Sequence, residues 1–171
     1  MDIWADTGLD WGSHLPALIG CVAASEGDVL ELGCGHYSTP CLHALCGSLG
    51  RNLMTLEAEQ GWRDKFTKYS TTWHDVAALT QESVSRAAAK DNWGVVFVDD
   101  AAGGRTQRAN MFIDKAEFVL FHDYNFPDMK PPLDEFLANN KCQSFVYREY
   151  GPHTLIVSAS RDIPNLWPTT Q

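Results

Sequence analysis

The stretch Val29-Leu30-Glu31-Leu32-Gly33-Cys34-Gly35 constrains the fold more than any other part of the chain. A short buried strand runs directly into two glycines separated by one residue. Thr39-Pro40 then reads as the N-cap and first residue of a helix. Leu42, Leu45, Cys46 and Leu49 follow at i, i+3, i+4 and i+7, and Gly50 stops the helix. A strand that turns through glycines into an amphipathic helix is the opening unit of a layered α/β sheet, and the rest of the chain repeats the alternation.

Upstream, residues 1–11 read as an irregular arm. Ser13 is expected to cap a first helix whose apolar stripe is Leu15, Leu18, Ile19 and Val22. Downstream, residues 53–56 form a second strand, and Trp62, Phe66 and Tyr69 mark a helix face. Residues 73–79 form a third strand, with a short helix to about Lys90. Val95-Val96-Phe97-Val98 is the clearest buried strand. A helix over 106–115, a fifth strand at Phe118-Val119-Leu120-Phe121 and a helix over 133–139 come next. Residues 144–149 and 154–158 make two strands joined by Tyr150-Gly151-Pro152-His153. Alternating strands and helices imply a parallel sheet covered on both faces, and the closing hairpin adds an antiparallel strand. The expected fold is α/β: a doubly wound, seven-stranded, mostly parallel sheet with an antiparallel terminal hairpin, in a single domain over residues 1–171.

The 171 residues suffice for a core without disulfides or metal. No run approaches the ~18 consecutive apolar residues of a membrane span. The acidic start Met1-Asp2-Ile3-Trp4-Ala5-Asp6 lacks the layout of a secretion signal, so a cytoplasmic protein is expected. A net charge of −9 with scattered basic residues disfavours nucleic acid as a partner. The five cysteines are an odd number and read as free thiols. Cys34, Cys41, His43 and Cys46 lie close in sequence, yet Cys41 and Cys46 diverge by about 140° on a helix, so no metal site is assigned there.

Four segments carry chemistry. The glycines Gly33 and Gly35 let the backbone pass close beneath a ligand, and the following helix start, at Ser38 and Thr39, offers N–H groups to an anion. A dinucleotide loop would need a third glycine where Ser38 stands. Glu57 ends the second strand 24 residues past Gly33, near the spacing at which an acidic residue accepts ribose hydroxyls. Asp99 follows the fourth strand, placed to orient a substrate or take a proton, and Arg105 is placed to fork onto a substrate carboxylate. His122-Asp123-Tyr124-Asn125 follows the fifth strand, where His122 and Asp123 read as a base and its partner.

Together these blocks resemble a class I S-adenosylmethionine-dependent methyltransferase over roughly residues 13–160. The resemblance implies that Glu31, Gly33, Gly35, Ser38, Thr39 and Glu57 bind S-adenosylmethionine, with Glu57 on the ribose. It implies that Asp99 and Asp123, with His122 as second choice, act on the acceptor, and that Arg105 and Tyr124 contact it. The motifs are similar to those of small-molecule and glycan O-methyltransferases, so an oxygen of a small molecule or sugar is the expected acceptor. In the metal-dependent catechol-type subgroup an Asp-Asn pair follows the fifth strand; here Tyr124 separates Asp123 from Asn125, which counts against Mg²⁺. The Pro-Pro-aromatic signature of DNA amino-methylating enzymes is absent at Asp99-Asp100-Ala101-Ala102. The lid is expected from Trp4, Trp11 and His14, from the loop after Tyr124 with Phe126 and Met129, or from a second subunit of a homodimer. The competing readings are an NAD-dependent oxidoreductase and a non-catalytic cofactor-binding domain.

Overall fold

A computed structural model describes residues 9–163. Trp4, expected in the lid, lies outside the described residues. In chain order the elements are α1 (Leu15–Ala23), β1 (Asp28–Leu32), α2 (Ser38–Leu49), β2 (Leu53–Glu57), α3 (Gln60–Arg63), β3 (His74–Ala78) and α4 (Gln81–Ala88). They continue with β4 (Trp93–Val98), α5 (Arg105–Phe112), β5 (Ala116–Phe121), α6 (Lys130–Asn139), β6 (Gln143–Tyr147) and β7 (Thr154–Ser158). The strands form one sheet in the order β3-β2-β1-β4-β5-β7-β6. β1 to β5 run parallel to one another, and β7 runs antiparallel to both β5 and β6. This is the expected sheet, closing hairpin included.

The sheet buries both faces, and the side-chain alternation of the central strands sorts the core in two. Val95 and Phe97 of β4, with Val29 of β1, pack with Leu18, Cys21 and Val22 of α1 and Leu42 and Cys46 of α2. Val96 and Val98, with Leu30 and Leu32, pack with Ala87 of α4, Ala109 and Phe112 of α5, and Phe136 of α6. The period of two thus places Glu31 on the α1–α2 face, fully buried. Gly50 closes α2 at φ 66°, as its position after the apolar stripe implies.

Several local expectations are corrected. The face α1 buries is Ala17, Leu18, Cys21 and Val22, while Ile19 is 40% exposed. Ser13 does not cap α1; its N-cap is His14, without a side-chain cap bond, and the hydroxyl of Ser13 is engaged elsewhere. Leu9–Gly12 is a 3₁₀ turn where an irregular arm was expected. Thr39 and Pro40 lie inside α2, whose N-cap is Tyr37. The helix face expected from Trp62 to Tyr69 breaks into α3 and a 3₁₀ turn, Thr67–Tyr69. Among the described residues, no helix is long and apolar enough to cross a membrane.

Candidate functional site

The strand order reverses between β1 and β4, and open α/β sheets place their ligand crevice at the carboxyl ends of strands flanking such a switch. A cleft of about 1080 Å³ lies there. Its walls come from the loop after β1 (Cys34 to Ser38), Glu57 after β2 and Trp62 of α3. The floor comes from Asp99 to Ala101 after β4 and from His122 and Asp123 after β5. Trp11, His14, Phe126 and the Gly151-Pro152 turn of the closing hairpin complete the rim.

Gly33 is required by its position. Its φ is +91°, and a Cβ there would stand 2.4 Å from the Asp99 carbonyl oxygen and 2.8 Å from the Asp100 nitrogen. Backbone bonds from Gly33 N to Leu56 O and from Asp99 N to Leu32 O, each 2.8 Å, pin the loop between β2 and β4. Below it, Thr39 Oγ1 accepts from Gly35 N at 3.0 Å and donates to the Glu31 carboxylate. Thr55 Oγ1 donates to Glu31 Oε2 at 2.7 Å and lies 3.0 Å from His74 Nε2. His74 Nδ1 is 3.0 Å from His43 Nδ1.

A buried polar chain therefore runs from His43, on α2, to the loop backbone. Burial raises the Glu31 carboxyl to about 7, opposed by the Ser38, Thr55 and Thr39 hydroxyls and aided by the charge of Asp99. Burial also lowers His74 to about 4, with His43 adding to the effect. Glu31 and Thr39 thus brace the loop from beneath and do not line the cleft; Gly35, Ser38 and Glu57 do. His43 pairs with His74 and not with the nearby cysteines, and all five cysteines are free.

At the other wall, Glu57 Oε2 accepts from Cys34 N at 3.1 Å and Oε1 from Glu59 N at 2.8 Å. Trp62 donates its indole N–H to Cys34 O at 2.7 Å, and its ring meets His36 edge-on at 5.0 Å. Sequence periodicity marked Trp62 only as a helix-face residue.

Arg105 organises the floor. Its Nε donates to Asp100 O at 2.6 Å and its Nη1 to His122 O at 2.7 Å. Its Nη2 bonds Asp99 Oδ1 at 3.2 Å and Asp123 Oδ2 at 3.3 Å. With its side chain 8% exposed, the guanidinium is spent on the protein. The expected fork toward a substrate carboxylate is replaced by a clamp joining the ends of β4 and β5. Asp123 meets this clamp at φ 61°, a left-handed conformation that Asp tolerates better than most residues. Asp100 has its own counter-charge: Arg108 Nη2 sits 2.7 Å from its Oδ2. Burial still raises Asp100 to about 6, against the pull of Arg108 and Arg105.

His122 Nδ1 lies 3.3 Å from Asp99 Oδ2 and 3.4 Å from Asp123 Oδ1. Its Nε2 lies 2.9 Å from Ser13 Oγ, which donates to Pro152 O at 2.7 Å. His14 packs edge-on against the His122 ring at 4.6 Å and against Phe97. Burial, with the His122 charge adding, lowers His14 to about 3. Ser13 and His14 were read as a cap and a lid residue; no sequence spacing links residues 13 and 14 to 99 and 122. Tyr124 is also corrected. Its ring is in the α5–α6 core and its hydroxyl donates to Asp134 at 2.6 Å, so Phe126, not Tyr124 or Met129, reaches the cleft from that loop.

An oxygen-only Mg²⁺ site of the Asp-Asp-Asn kind does not assemble. Every carboxylate oxygen of Asp99 and Asp123 faces Arg105 or His122, and Asn125 Oδ1 accepts from His153 N at 2.6 Å.

The chain matches no protein-family model, and no curated protein matches it in sequence. Solved structures match it in fold. One is an O-methyltransferase from Bacillus cereus in complex with S-adenosylhomocysteine (16% identity, TM-score 0.66, 86% of this chain and 80% of that one). A second is the S-adenosylhomocysteine-bound methyltransferase PaMTH1 of Podospora anserina (15%, 0.60, 85% and 76%). A third is a precorrin-6y C5,15-methyltransferase from Geobacter metallireducens (12%, 0.62, 84% and 86%). The fold is that of the class I, Rossmann-like methyltransferases.

Proposed function

We propose that the chain is an S-adenosylmethionine-dependent methyltransferase acting on an oxygen of a small molecule or sugar. The observation that carries this reading is the cleft at the strand-order switch. One half of it is a glycine loop with Ser38 and Glu57, and the other half is a clamped pair of carboxylates. The first half suits a ligand with a carboxylate near a helix start and ribose hydroxyls near an acid. The fold relatives support it, since two of them are described as holding S-adenosylhomocysteine.

The bound cofactor supplies an electrophilic methyl group on sulfur. The work left to the protein is alignment of the acceptor along the displacement line. Arg105 fixes Asp99 and Asp123 so that their oxygens, with His122, orient the acceptor's hydroxyl and receive its proton. Trp11 and Phe126, 69% and 44% exposed at the rim, offer aromatic faces to a ring-shaped acceptor. The five free thiols fit a reducing, cytoplasmic setting.

The test is transfer of a labelled methyl group from S-adenosylmethionine to a panel of phenols, catechols and sugars. Wild type should label at least one acceptor, and Asp99→Asn and Asp123→Asn should each lose most of that turnover. Full turnover by both variants would overturn the assignment of these residues.

A further inference from the structure

Ser13, His14, Asp99 and His122 meet at one corner of the cleft, and their hydrogen bonds leave a place for a cation. Ser13 Oγ spends its proton on the Pro152 carbonyl. Its lone pairs therefore face His122 Nε2, which selects the tautomer with the proton on Nε2. Nδ1 of that tautomer turns a lone pair toward Asp99 Oδ2 and Asp123 Oδ1, at 3.3 and 3.4 Å. A lone pair and two carboxylates at that distance repel unless a cation lies among them. Arg105 balances one of the two negative charges from the far side and leaves the other.

His14 adds the second observation. It is 2% exposed, and neither ring nitrogen has a hydrogen-bond partner among the described residues. Unpaired buried nitrogens are costly and rare. One ligating atom each from His14, Asp99 and His122 lies within 4.8 Å of the others. A proton on His122 would satisfy the carboxylates and leave both His14 nitrogens unpaired; a metal ion would satisfy Asp99, His122 and one of the two His14 nitrogens.

We propose that His14, Asp99 and His122 hold a divalent transition-metal ion of the zinc class, not Mg²⁺, at the acceptor end of the cleft. Two imidazoles and one carboxylate form a donor set suited to Zn²⁺, Co²⁺ or Ni²⁺, whereas Mg²⁺ favours oxygen. Three protein ligands leave a coordination position open, as in catalytic zinc sites. Ser13 acts from outside the ligand set, holding the His122 ring in the ligating tautomer. Resting on the methyl-transfer reading, the open position takes the acceptor's oxygen, and the proton that oxygen loses passes to Asp123, the carboxylate outside the ligand set.

The probes are zinc alone by calorimetry and cobalt alone by visible absorption, added to the whole chain after chelation. One equivalent should bind, with cobalt bands of four- or five-coordinate intensity, and excess Mg²⁺ should not compete. Ser13→Ala should weaken zinc binding roughly 10-fold, the low end for loss of an outer partner, and His14→Phe and His122→Phe should weaken it further. Should those variants misfold, imidazole ¹⁵N spectra of the wild type keep the test open: zinc should shift two of the six histidines. Absence of binding, equal competition by Mg²⁺, or binding that survives His14→Phe would overturn the proposal. Binding of S-adenosylhomocysteine by metal-free protein is read separately, so failure of the metal site and failure of the methyltransferase reading are distinguishable.

Discussion

Replacing Glu31 by Gln isolates the cost of an ionisable group beneath the glycine loop. Glu31 is fully buried, and burial raises it from 4.5 to about 7. At ~1.4 kcal/mol per pH unit this corresponds to about 3 kcal/mol. The folded state holds the proton more tightly than the unfolded chain. Stability from this group is therefore complete below about pH 4.5, falls as pH rises toward 7, and is level above that. Gln keeps an acceptor for the Thr39 and Thr55 hydroxyls and does not ionise. Urea unfolding of both proteins across about pH 4 to 9 should show nearly equal stabilities at the acid end. The variant should then gain steadily, reaching about 3 kcal/mol above neutrality. A difference that is constant with pH, or that favours wild type at pH 8, would refute the reasoning.

Two further outcomes follow from the site's geometry. Gly33→Ala puts a methyl group 2.4 Å from the Asp99 carbonyl at φ +91°, so unfolding free energy should drop by more than about 1 kcal/mol and S-adenosylhomocysteine binding should be lost in calorimetry. Arg105→Met leaves Asp99 and Asp123 without their shared counter-charge and two carbonyls without a donor. Denaturant unfolding should show a loss of about 3 kcal/mol or more.

The fold was legible because its signals are local. Strands such as Val95-Val96-Phe97-Val98 are continuous apolar runs, and the hairpin turn at Gly151-Pro152 is explicit in sequence. Gly33, Glu57, Asp99 and Asp123 were legible for the same reason: each lies at a strand end, where this topology gathers the site. What stayed hidden depends on partners distant in sequence. Glu31 belongs beneath the loop because Thr55 and Thr39 converge on it. Arg105 is consumed by carbonyls and carboxylates after β4 and β5 that no spacing relates to it. Tyr124 turns into the core because Asp134, on α6, satisfies its hydroxyl. Ser13 and His14 reach His122 because α1 packs on the face of β4 that carries Val95 and Phe97.

Calorimetric titration of the wild type and Glu57→Ala with S-adenosylhomocysteine, and separately with NADH, decides which cofactor the cleft takes. Wild type should bind S-adenosylhomocysteine and not NADH. Loss of the Glu57 carboxylate, which lines the cleft after β2, should weaken that binding by roughly 10-fold or more, as expected when hydrogen bonds to a charged group are removed. Preferential binding of NADH, or S-adenosylhomocysteine binding indifferent to Glu57, would contradict it.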